Sequence, residues 1–211
     1  MSEEQLRNDI VKWGRSLFER GLTAGSSGNI SVRLEDGYLT TPTNSCLGFL
    51  DPDRLSRLDV EGRPVSGDAP TKELPLHFAF YEQRPKARAV VHLHSAYATA
   101  LSCLSDVDVT DAIPPITPYV VMRVGRVPVV AYTRPGSPDI KPLIQKIAGD
   151  HAAALLQNHG PIVAGNSLDT AVFAIEELEE AAKLLILTRS MSVRTLDPSA
   201  IADLNQHFKL K

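Results

Sequence analysis

The residues best suited to chemistry in this sequence are histidines. His92 and His94 lie in AVVHLHS, at the end of an apolar run that predicts a buried strand. Alternate residues of a strand point to the same side and lie about 6.6 Å apart, so these two imidazoles can converge on one ion. An isolated pair of this kind is equally typical of two hydrated side chains at a strand end, because short motifs also occur by chance.

A third histidine favours a metal site. His159, in QNHGP, stands at a tight turn after another apolar strand, and Gly160 allows a close approach of the backbone there. Three neutral imidazoles are a common ligand set for catalytic zinc, with one position left open for water or substrate. The settings of His77, His151 and His207 predict surface or packing roles instead.

Glu73 is the candidate for proton transfer beside such a metal. It opens a predicted helix over 72–83, which ends just before the strand that carries His92 and His94. The short connection predicts that the two elements are neighbours. Glu73 could simply complement the helix dipole, serve as a fourth ligand in the resting state, or move protons during turnover. Sequence spacing leaves these roles open.

Three small, hydroxyl-rich turns are candidates for binding an anion. They read SSGN, TPTN and PTK. Each one alone predicts only a turn. Together they predict a phosphate cradle, with Lys72 adding positive charge next to a helix N-terminus. The other candidate groups are Gly28, Asn29, Thr43 and Thr71. Neither the P-loop nor the GxGxxG pattern is present, so a nucleotide site is not indicated.

The elements that must position these residues alternate between helix and strand. Hairpin turns are predicted at Asp36-Gly37 and Glu61-Gly62. Predicted helices span 3–20, a short segment after Asp51, 72–83, the segment after Ser95, the segment before Gly149, 167–189, and a segment from Pro198. Predicted strands lie between them, including 127–132. The pattern predicts one α/β domain over residues 1–211, with a central, mostly antiparallel or mixed sheet flanked by helices.

Composition narrows the class of partner and the compartment. The chain carries 22 basic and 25 acidic residues without a basic cluster, so a nucleic-acid partner is not expected. Cys46 and Cys103 lie far apart and outside any CxxC motif, which predicts two buried thiols rather than a disulfide or a zinc pair. The acidic, amphipathic start and the short apolar runs predict a cytoplasmic protein without a signal peptide or a membrane span.

Beyond these patterns, the sequence resembles the class II aldolase/adducin family of the fuculose-phosphate aldolase type. The motifs that carry this resemblance occur in the order found in that family, and they are GSSGNIS, TPT, TKE, VHLHS and NHG. This resemblance runs from residue 25 to residue 160. It implies the class II aldolase-like fold and homotetramers with sites at subunit interfaces. It implies one Zn²⁺ per subunit on His92, His94 and His159, with Glu73 as the acid–base residue. It places Gly28, Asn29, Thr43, Asn44, Thr71 and Lys72 around the phosphate. A neighbouring subunit supplies a tyrosine in the aldolases, and Tyr119 is the candidate here.

Longer stretches are similar to a narrower branch, the bacterial 3-oxo-tetronate 4-phosphate decarboxylases. They include TNSCLGFLDPDRLS, SGDAPTKE and TPYVVMRVGRVPVVAYTRPG. Lys72 stands where the aldolases usually have a small hydroxyl residue. The resemblance implies zinc-dependent loss of CO₂ from a phosphorylated four-carbon 3-oxo acid, in acid-sugar catabolism. The product would be dihydroxyacetone phosphate, formed through a metal-stabilised enediolate.

Other functions remain open at this point. An aldolase that cleaves a sugar 1-phosphate, or a pentulose-phosphate 4-epimerase, would use the same metal site and a related intermediate. A non-enzymatic, adducin-like module would keep the fold and lose the metal, but the complete trio of His92, His94 and His159 argues against it. A cupin also uses an HxH pair, yet it requires a nearby glutamate after the pair and an all-β chain, which this sequence does not have.

Overall fold

A mixed sheet of eight strands forms the centre of the computed structural model, which describes residues 2–208. The strands are β1 (Asn29–Arg33), β2 (Tyr38–Thr40), β3 (Ser56–Leu58), β4 (Pro64–Ser66), β5 (Ala89–His92), β6 (Val129–Val130), β7 (Ala153–Leu156) and β8 (Gly160–Gly165). Their order across the sheet is β4-β3-β2-β1-β5-β8-β7-β6. Neighbouring strands are antiparallel except β6 and β7, which are parallel. The predicted α/β fold with a mostly antiparallel sheet is therefore confirmed.

Helices cover both faces of this sheet. They are α1 (Glu3–Glu19), α2 (Leu74–Gln83), α3 (Ala96–Ser102), α4 (Pro118–Arg123), α5 (Ile140–Ala148), α6 (Leu168–Thr188) and α7 (Pro198–Phe208). Two short 3₁₀ helices, Leu47–Phe49 and Pro52–Arg54, follow β2. No helix within residues 2–208 combines the length and the apolar character that crossing a membrane would require.

The central strands are buried on both faces. Val91 of β5 packs into the core that contains residues of α1, α3, α4 and α6, whereas its neighbour Val90 packs into the core beneath α2 and α5. A strand between two layers of helices reads as a continuous apolar run rather than an alternating one, which explains the sequence AVVHL. The sheet therefore holds the start of α2 and the end of β5 in fixed relation.

The helix that follows the PTK turn begins later than the sequence pattern predicts. α2 starts at Leu74, with Pro75 in its first turn. Thr71 remains extended, because its backbone N–H donates to the carbonyl of Thr41 at 3.2 Å. Proline fits the first helical turn well, because the N–H groups there have no partner within the helix. Glu73 consequently occupies the N-cap position of α2.

Three further predictions differ from the structure. β5 ends at His92, so His94 lies in the loop beyond it rather than on the strand. The strand expected over 127–132 is reduced to Val129–Val130. The thiols are not both buried: Cys103 is exposed at the end of α3 and Cys46 is half-buried, and both are free. α4 was not predicted; Thr117 caps it by accepting a hydrogen bond from the Val120 N–H.

Candidate metal centre

Four side chains from three separate parts of the sequence converge at one end of the central strands. One ligand atom from each of Glu73, His92, His94 and His159 lies within 4.8 Å of the others. The Nε2 atom of His92 is 3.1 Å from that of His94 and 3.3 Å from that of His159. The Glu73 carboxylate lies 3.5 Å from His92 Nε2 and 3.6 Å from His159 Nε2. The three imidazoles and the carboxylate thus face a common point.

The pairing of β5 with β8 brings His159 to the HxH segment. His92 is opposite Ile162 in this antiparallel pair, and the Leu93 N–H donates to the Pro161 carbonyl at 3.1 Å. The turn before β8 therefore lies directly over the loop that carries His94. The residue after His159 must be small, because a Cβ on Gly160 would lie 2.3 Å from the Leu93 carbonyl oxygen.

A hydrogen bond fixes which nitrogen of His92 faces the cluster. Its Nδ1–H donates to the Pro161 carbonyl oxygen at 2.8 Å, and a carbonyl can only accept. Nε2 of the neutral ring is then unprotonated and directs its lone pair toward His94, His159 and Glu73. Such a backbone carbonyl is a standard partner for a metal-binding histidine, because it sets the tautomer and the ring orientation.

The surroundings keep these imidazoles neutral. Burial, followed by the proximity of His159 and His94, lowers the pKa of His92 well below its ordinary value. Burial and His159 also lower the pKa of His94, against an opposing effect of Glu73. Burial lowers the pKa of His159, which Glu73 again opposes. A neutral imidazole is the form that binds a cation, so protons compete weakly for these ligands.

The donor set fits a divalent metal. In a tetrahedral zinc site with Zn–N bonds of about 2.0–2.1 Å, neighbouring ligand atoms lie roughly 3.3 Å apart. The observed Nε2 separations of 3.1 and 3.3 Å match that spacing. Three lone pairs and a carboxylate so close together would repel one another without a cation. Three imidazoles and one carboxylate therefore suit an ion that keeps or gains one exchangeable position.

Asn29 connects the metal cluster to the turns that were predicted to hold an anion. Its Nδ2 donates to Glu73 Oε2 at 2.8 Å, and the side chain is 6% exposed. The preceding Gly28 has a φ of +80°, and a Cβ there would lie 3.0 Å from the His92 carbonyl oxygen. Glycine thus allows the first turn to lie against the end of β5.

The other two predicted turns are joined to each other. The Thr43 N–H donates to the Ala69 carbonyl at 2.9 Å, and Pro42 and Pro70 form an isolated antiparallel bridge. Thr71 Oγ1 accepts from the Glu73 N–H at 3.3 Å. The first and third turns therefore contact Glu73, and the second turn is joined to the third. Lys72 is exposed, and Asn44 adopts a left-handed φ of +57°.

The remaining histidines and Tyr119 have different environments. His207 is exposed on α7, and His151 is half-buried between α5 and β7. His77 is completely buried, so of the surface and packing roles predicted for it the surface role is excluded, and both of its ring nitrogens have polar partners. Tyr119 on α4 is 54% exposed, packs near Arg123, and is not among the four converging residues.

Sequence reasoning missed two residues near the cluster, Arg134 and Glu179. Arg134, in the loop after β6, lines a narrow cavity together with Glu73 and His159. Gly136 of the same loop approaches Lys72 so closely that a Cβ there would lie 3.2 Å from the Lys72 Cβ. Lys72 and Arg134 thus both adjoin the cluster, and only the sheet order reveals that Arg134 is near it.

The second missed residue is Glu179 on α6. Its carboxylate accepts hydrogen bonds from Ser95 Oγ and from the backbone N–H groups of Tyr97 and Ala98, at 2.7, 2.9 and 2.8 Å. It is 7% exposed, and its partners form the start of α3, directly after His94. Glu179 is one of four glutamates in the segment EELEE, so no signal in the sequence distinguishes it from its more exposed neighbours.

The fold and this site define the class of protein. The chain belongs to the class II aldolase/adducin family, whose Class II Aldolase and Adducin N-terminal domain matches residues 8–186. It is 50% identical to a 3-oxo-tetronate 4-phosphate decarboxylase from Pectobacterium atrosepticum, over 97% of this chain and 94% of that protein. An L-fuculose phosphate aldolase from Methanocaldococcus jannaschii is 34% identical, over 86% of this chain and 96% of that protein.

A solved structure agrees with these relationships. YgbL from Escherichia coli is 47% identical, covers 96% of this chain with 98% of its own, and superposes with a TM-score of 0.93. The family resemblance noted in the sequence is therefore confirmed.

Proposed function

We propose that this protein decarboxylates 3-oxo-tetronate 4-phosphate to dihydroxyacetone phosphate and CO₂. The observation that carries the proposal is the 50% identity, over nearly the full length of both chains, with a relative named for this activity. The site supports it, because the cluster of three imidazoles and a carboxylate adjoins two cationic residues and two polar turns, the second of which is joined to a third. A substrate with a phosphate and a carboxylate requires that combination of metal ligands and positive charge.

We assign the metal to His92, His94 and His159, with Glu73 as a fourth resting ligand or acid–base group. Zinc is the proposed ion, because three neutral imidazoles are a ligand set that zinc favours. When bound, a divalent cation polarises the C3 ketone and stabilises the negative charge that develops when C1 departs. Metal analysis of the purified protein and of His94→Ala tests the assignment. Full zinc retention by the variant after dialysis would remove His94 from the ligand set.

The chain's own residues would do the remaining work. The C1–C2 bond breaks, its electron pair moves toward C2 and the C3 ketone, and CO₂ leaves. C2 then takes a proton, which Glu73 delivers and afterwards recovers from solvent. Gly28, Asn29, Thr43, Asn44, Thr71 and Lys72 would hold the phosphate at C4. We assign Lys72 to the phosphate rather than to the carboxylate, because tight pairing of the carboxylate before reaction would oppose its loss as neutral CO₂.

The alternative is an aldolase that cleaves a sugar 1-phosphate, which the 34% identity to an L-fuculose phosphate aldolase supports. One assay separates the two functions. The purified protein is given both C2 epimers of 3-oxo-tetronate 4-phosphate, and in parallel a sugar 1-phosphate, while CO₂, dihydroxyacetone phosphate and aldehyde are measured. Release of CO₂ and dihydroxyacetone phosphate supports the decarboxylase. Aldehyde without CO₂ would replace it with the aldolase.

We further propose that residues 1–211 form one domain and that the domain assembles into a homotetramer in the cytoplasm, where phosphorylated sugars are retained by their charge. Tyr119 would enter the site of a neighbouring subunit. Its exposure of 54%, near the 41% exposed Phe173, is consistent with a surface that another subunit covers. Light scattering of the purified protein tests the assembly, and a monomer with full activity would contradict the role of Tyr119.

A further inference from the structure

We propose that His77 is a positioning residue that fixes the Glu73 carboxylate by locking the orientation of the Asn29 amide. Its effect on turnover rests on the proposed function; its effect on the amide does not. The structural basis is a buried network that consists of Asn29, Ser31, His77 and Tyr81. All four side chains are less than a tenth exposed.

The network runs without interruption from the core to the metal cluster. Tyr81 OH is 2.9 Å from Ser31 Oγ, which is 2.7 Å from His77 Nδ1. His77 Nε2 is 2.5 Å from Asn29 Oδ1, and Asn29 Nδ2 is 2.8 Å from Glu73 Oε2. α2 supplies His77 and Tyr81, and β1 supplies Asn29 and Ser31.

Hydrogen-bond chemistry gives this network a single direction. An ionised carboxylate only accepts, so the amide group of Asn29 that faces Glu73 must be the NH₂ donor. Asn29 Oδ1 is then an acceptor, and His77 Nε2 must carry the proton. His77 Nδ1 is left bare and accepts from the Ser31 hydroxyl, which in turn accepts from Tyr81. The direction follows from the carboxylate at the end of the network, because an ionised carboxylate can only accept.

The network prevents the Asn29 amide from turning over. A reversed amide would direct its oxygen at the carboxylate and its NH₂ at the protonated Nε2 of His77, which leaves two repulsive contacts in a dry environment. With the amide locked, Oε2 of Glu73 is held 2.8 Å from Asn29 and 3.5 Å from His92 Nε2. A proton-transfer group needs this kind of fixed position relative to the reacting carbon.

Packing alone does not explain these residues. Apolar side chains of similar volume would fill the space between α2 and β1 without the cost of burying hydroxyls and an imidazole. Burial also lowers the pKa of His77 to about 3, so the ring is neutral near pH 7 and can keep one bare and one protonated nitrogen. The polar network ends at a functional carboxylate, where a departure from apolar packing is expected.

The tautomer of His77 can be measured without any catalytic assay. The protein contains six histidines, so selective ¹⁵N-histidine labelling and long-range ¹H–¹⁵N correlation spectra resolve each ring. The signal lost in His77→Gln identifies His77. We expect a proton on Nε2 alone for His77 and on Nδ1 for His92. A His77 ring that is protonated on Nδ1 would overturn the proposal, whatever reaction the enzyme catalyses.

A double-mutant cycle tests whether His77 acts through Asn29. For metal-loaded protein we expect kcat for CO₂ release to fall roughly 10–100-fold in His77→Leu, the usual cost of losing a partner that orients such a site. KM should change little. In an Asn29→Ala background the same substitution should have no further effect, because the group that it orients is gone. Effects that multiply in the double variant would contradict the proposal.

Two further variants separate positioning from a general loss of stability. His77→Gln places an amide donor near the position of Nε2 and should recover most of the lost kcat. Phe80→Leu, fully buried on the same helix but outside the network, should lower Tm and keep kcat near that of the wild type. An equal loss of kcat in Phe80→Leu would overturn the proposal. If the wild type releases no CO₂ the proposed reaction fails, whereas the tautomer result still decides the role of His77.

Discussion

At the scale of single residues, the Glu73 carboxylate lies between the three histidines of the proposed metal site and the amide of Asn29. Oε2 is 3.5 Å from His92 Nε2, and Oε1 is 3.6 Å from His159 Nε2. Oε2 also accepts a hydrogen bond from Asn29 at 2.8 Å. If Glu73 bound the proposed metal at rest, it would still be held by its amide partner after substrate displaced it. That arrangement permits a resting ligand to become the proton-transfer group.

Replacing Glu73 should separate metal binding from turnover. Glu73→Gln keeps the shape and three histidine ligands, so metal content should stay near one ion per chain. kcat should fall by roughly 10²–10⁴-fold, the usual contribution of positioned proton transfer. Glu82→Gln, on the exposed far end of α2, is the matched control and should keep full activity. Near-normal kcat in Glu73→Gln would exclude it as the acid–base residue.

Lys72 differs from Glu73 in its expected kinetic signature. If it binds the phosphate, Lys72→Ala should raise KM by roughly 10–100-fold, because a hydrogen bond to a charged group contributes about 1.5–3 kcal/mol. kcat at saturation should change much less. Lys86→Ala, an exposed lysine after α2, controls for the overall charge. Unchanged substrate affinity in Lys72→Ala would contradict the assignment of Lys72 to phosphate binding.

Among the secondary-structure elements, α6 fixes the position of the loop that carries His94. Glu179 ties the first turn of α3 to α6 through three hydrogen bonds, and α3 begins two residues after His94. A carboxylate at a helix N-terminus also complements the unpaired N–H groups there. The position of His94, a proposed metal ligand, therefore depends on a residue that is 85 positions later in the sequence.

Glu179→Gln should loosen this attachment. The amide keeps one acceptor oxygen and turns an NH₂ group toward backbone donors, so we expect a loss of about 1–3 kcal/mol in the free energy of unfolding. Metal affinity should fall roughly 10–100-fold because His94 is less well oriented. Glu180→Gln is the matched control, since Glu180 is exposed on the same helix and pairs only loosely with Lys183 at 3.7 Å. Equal behaviour of the two variants would reject the role of Glu179.

For the whole molecule, a buried neutral histidine makes stability depend on pH. The pKa of His77 is about 3 in the folded protein, against an ordinary value of 6.5. Between these values the unfolded chain binds a proton that the folded protein does not. Stability is therefore full above about pH 6.5 and falls as the pH drops toward 3, with a limiting slope of about 1.4 kcal/mol per pH unit for this proton.

Denaturant unfolding of the metal-free protein between pH 7 and pH 5 measures that dependence. His77→Gln removes the titrating group, so its unfolding free energy should fall less steeply with decreasing pH than that of the wild type. The comparison of slopes holds even if the variant is less stable at every pH. His207→Gln, on the exposed surface of α7, should keep the wild-type slope. Identical slopes for His77→Gln and the wild type would contradict the linkage.

Local sequence patterns were enough to predict most of the secondary structure. The capped helices, the two Gly-containing hairpins and the apolar run of β5 are encoded by neighbouring residues, so the sequence alone predicted them. α4 was not predicted because Pro118–Arg123 is too short to show a helical period. The start of α2 was placed too early because the pairing of Thr71 with Thr41, a contact between distant segments, keeps that residue extended.

The sequence by itself determined which residues have the chemistry for this site: three histidines, a glutamate and three polar turns at recognisable spacing. Only the tertiary structure decided the geometry, which includes the tautomer of His92, the junction of Glu73 with Asn29, and the buried roles of His77 and Glu179. The physical reason is that hydrogen bonds between β1, α2, β5, β8 and α6 join residues that are far apart in sequence. Their partners exist only after the sheet has formed.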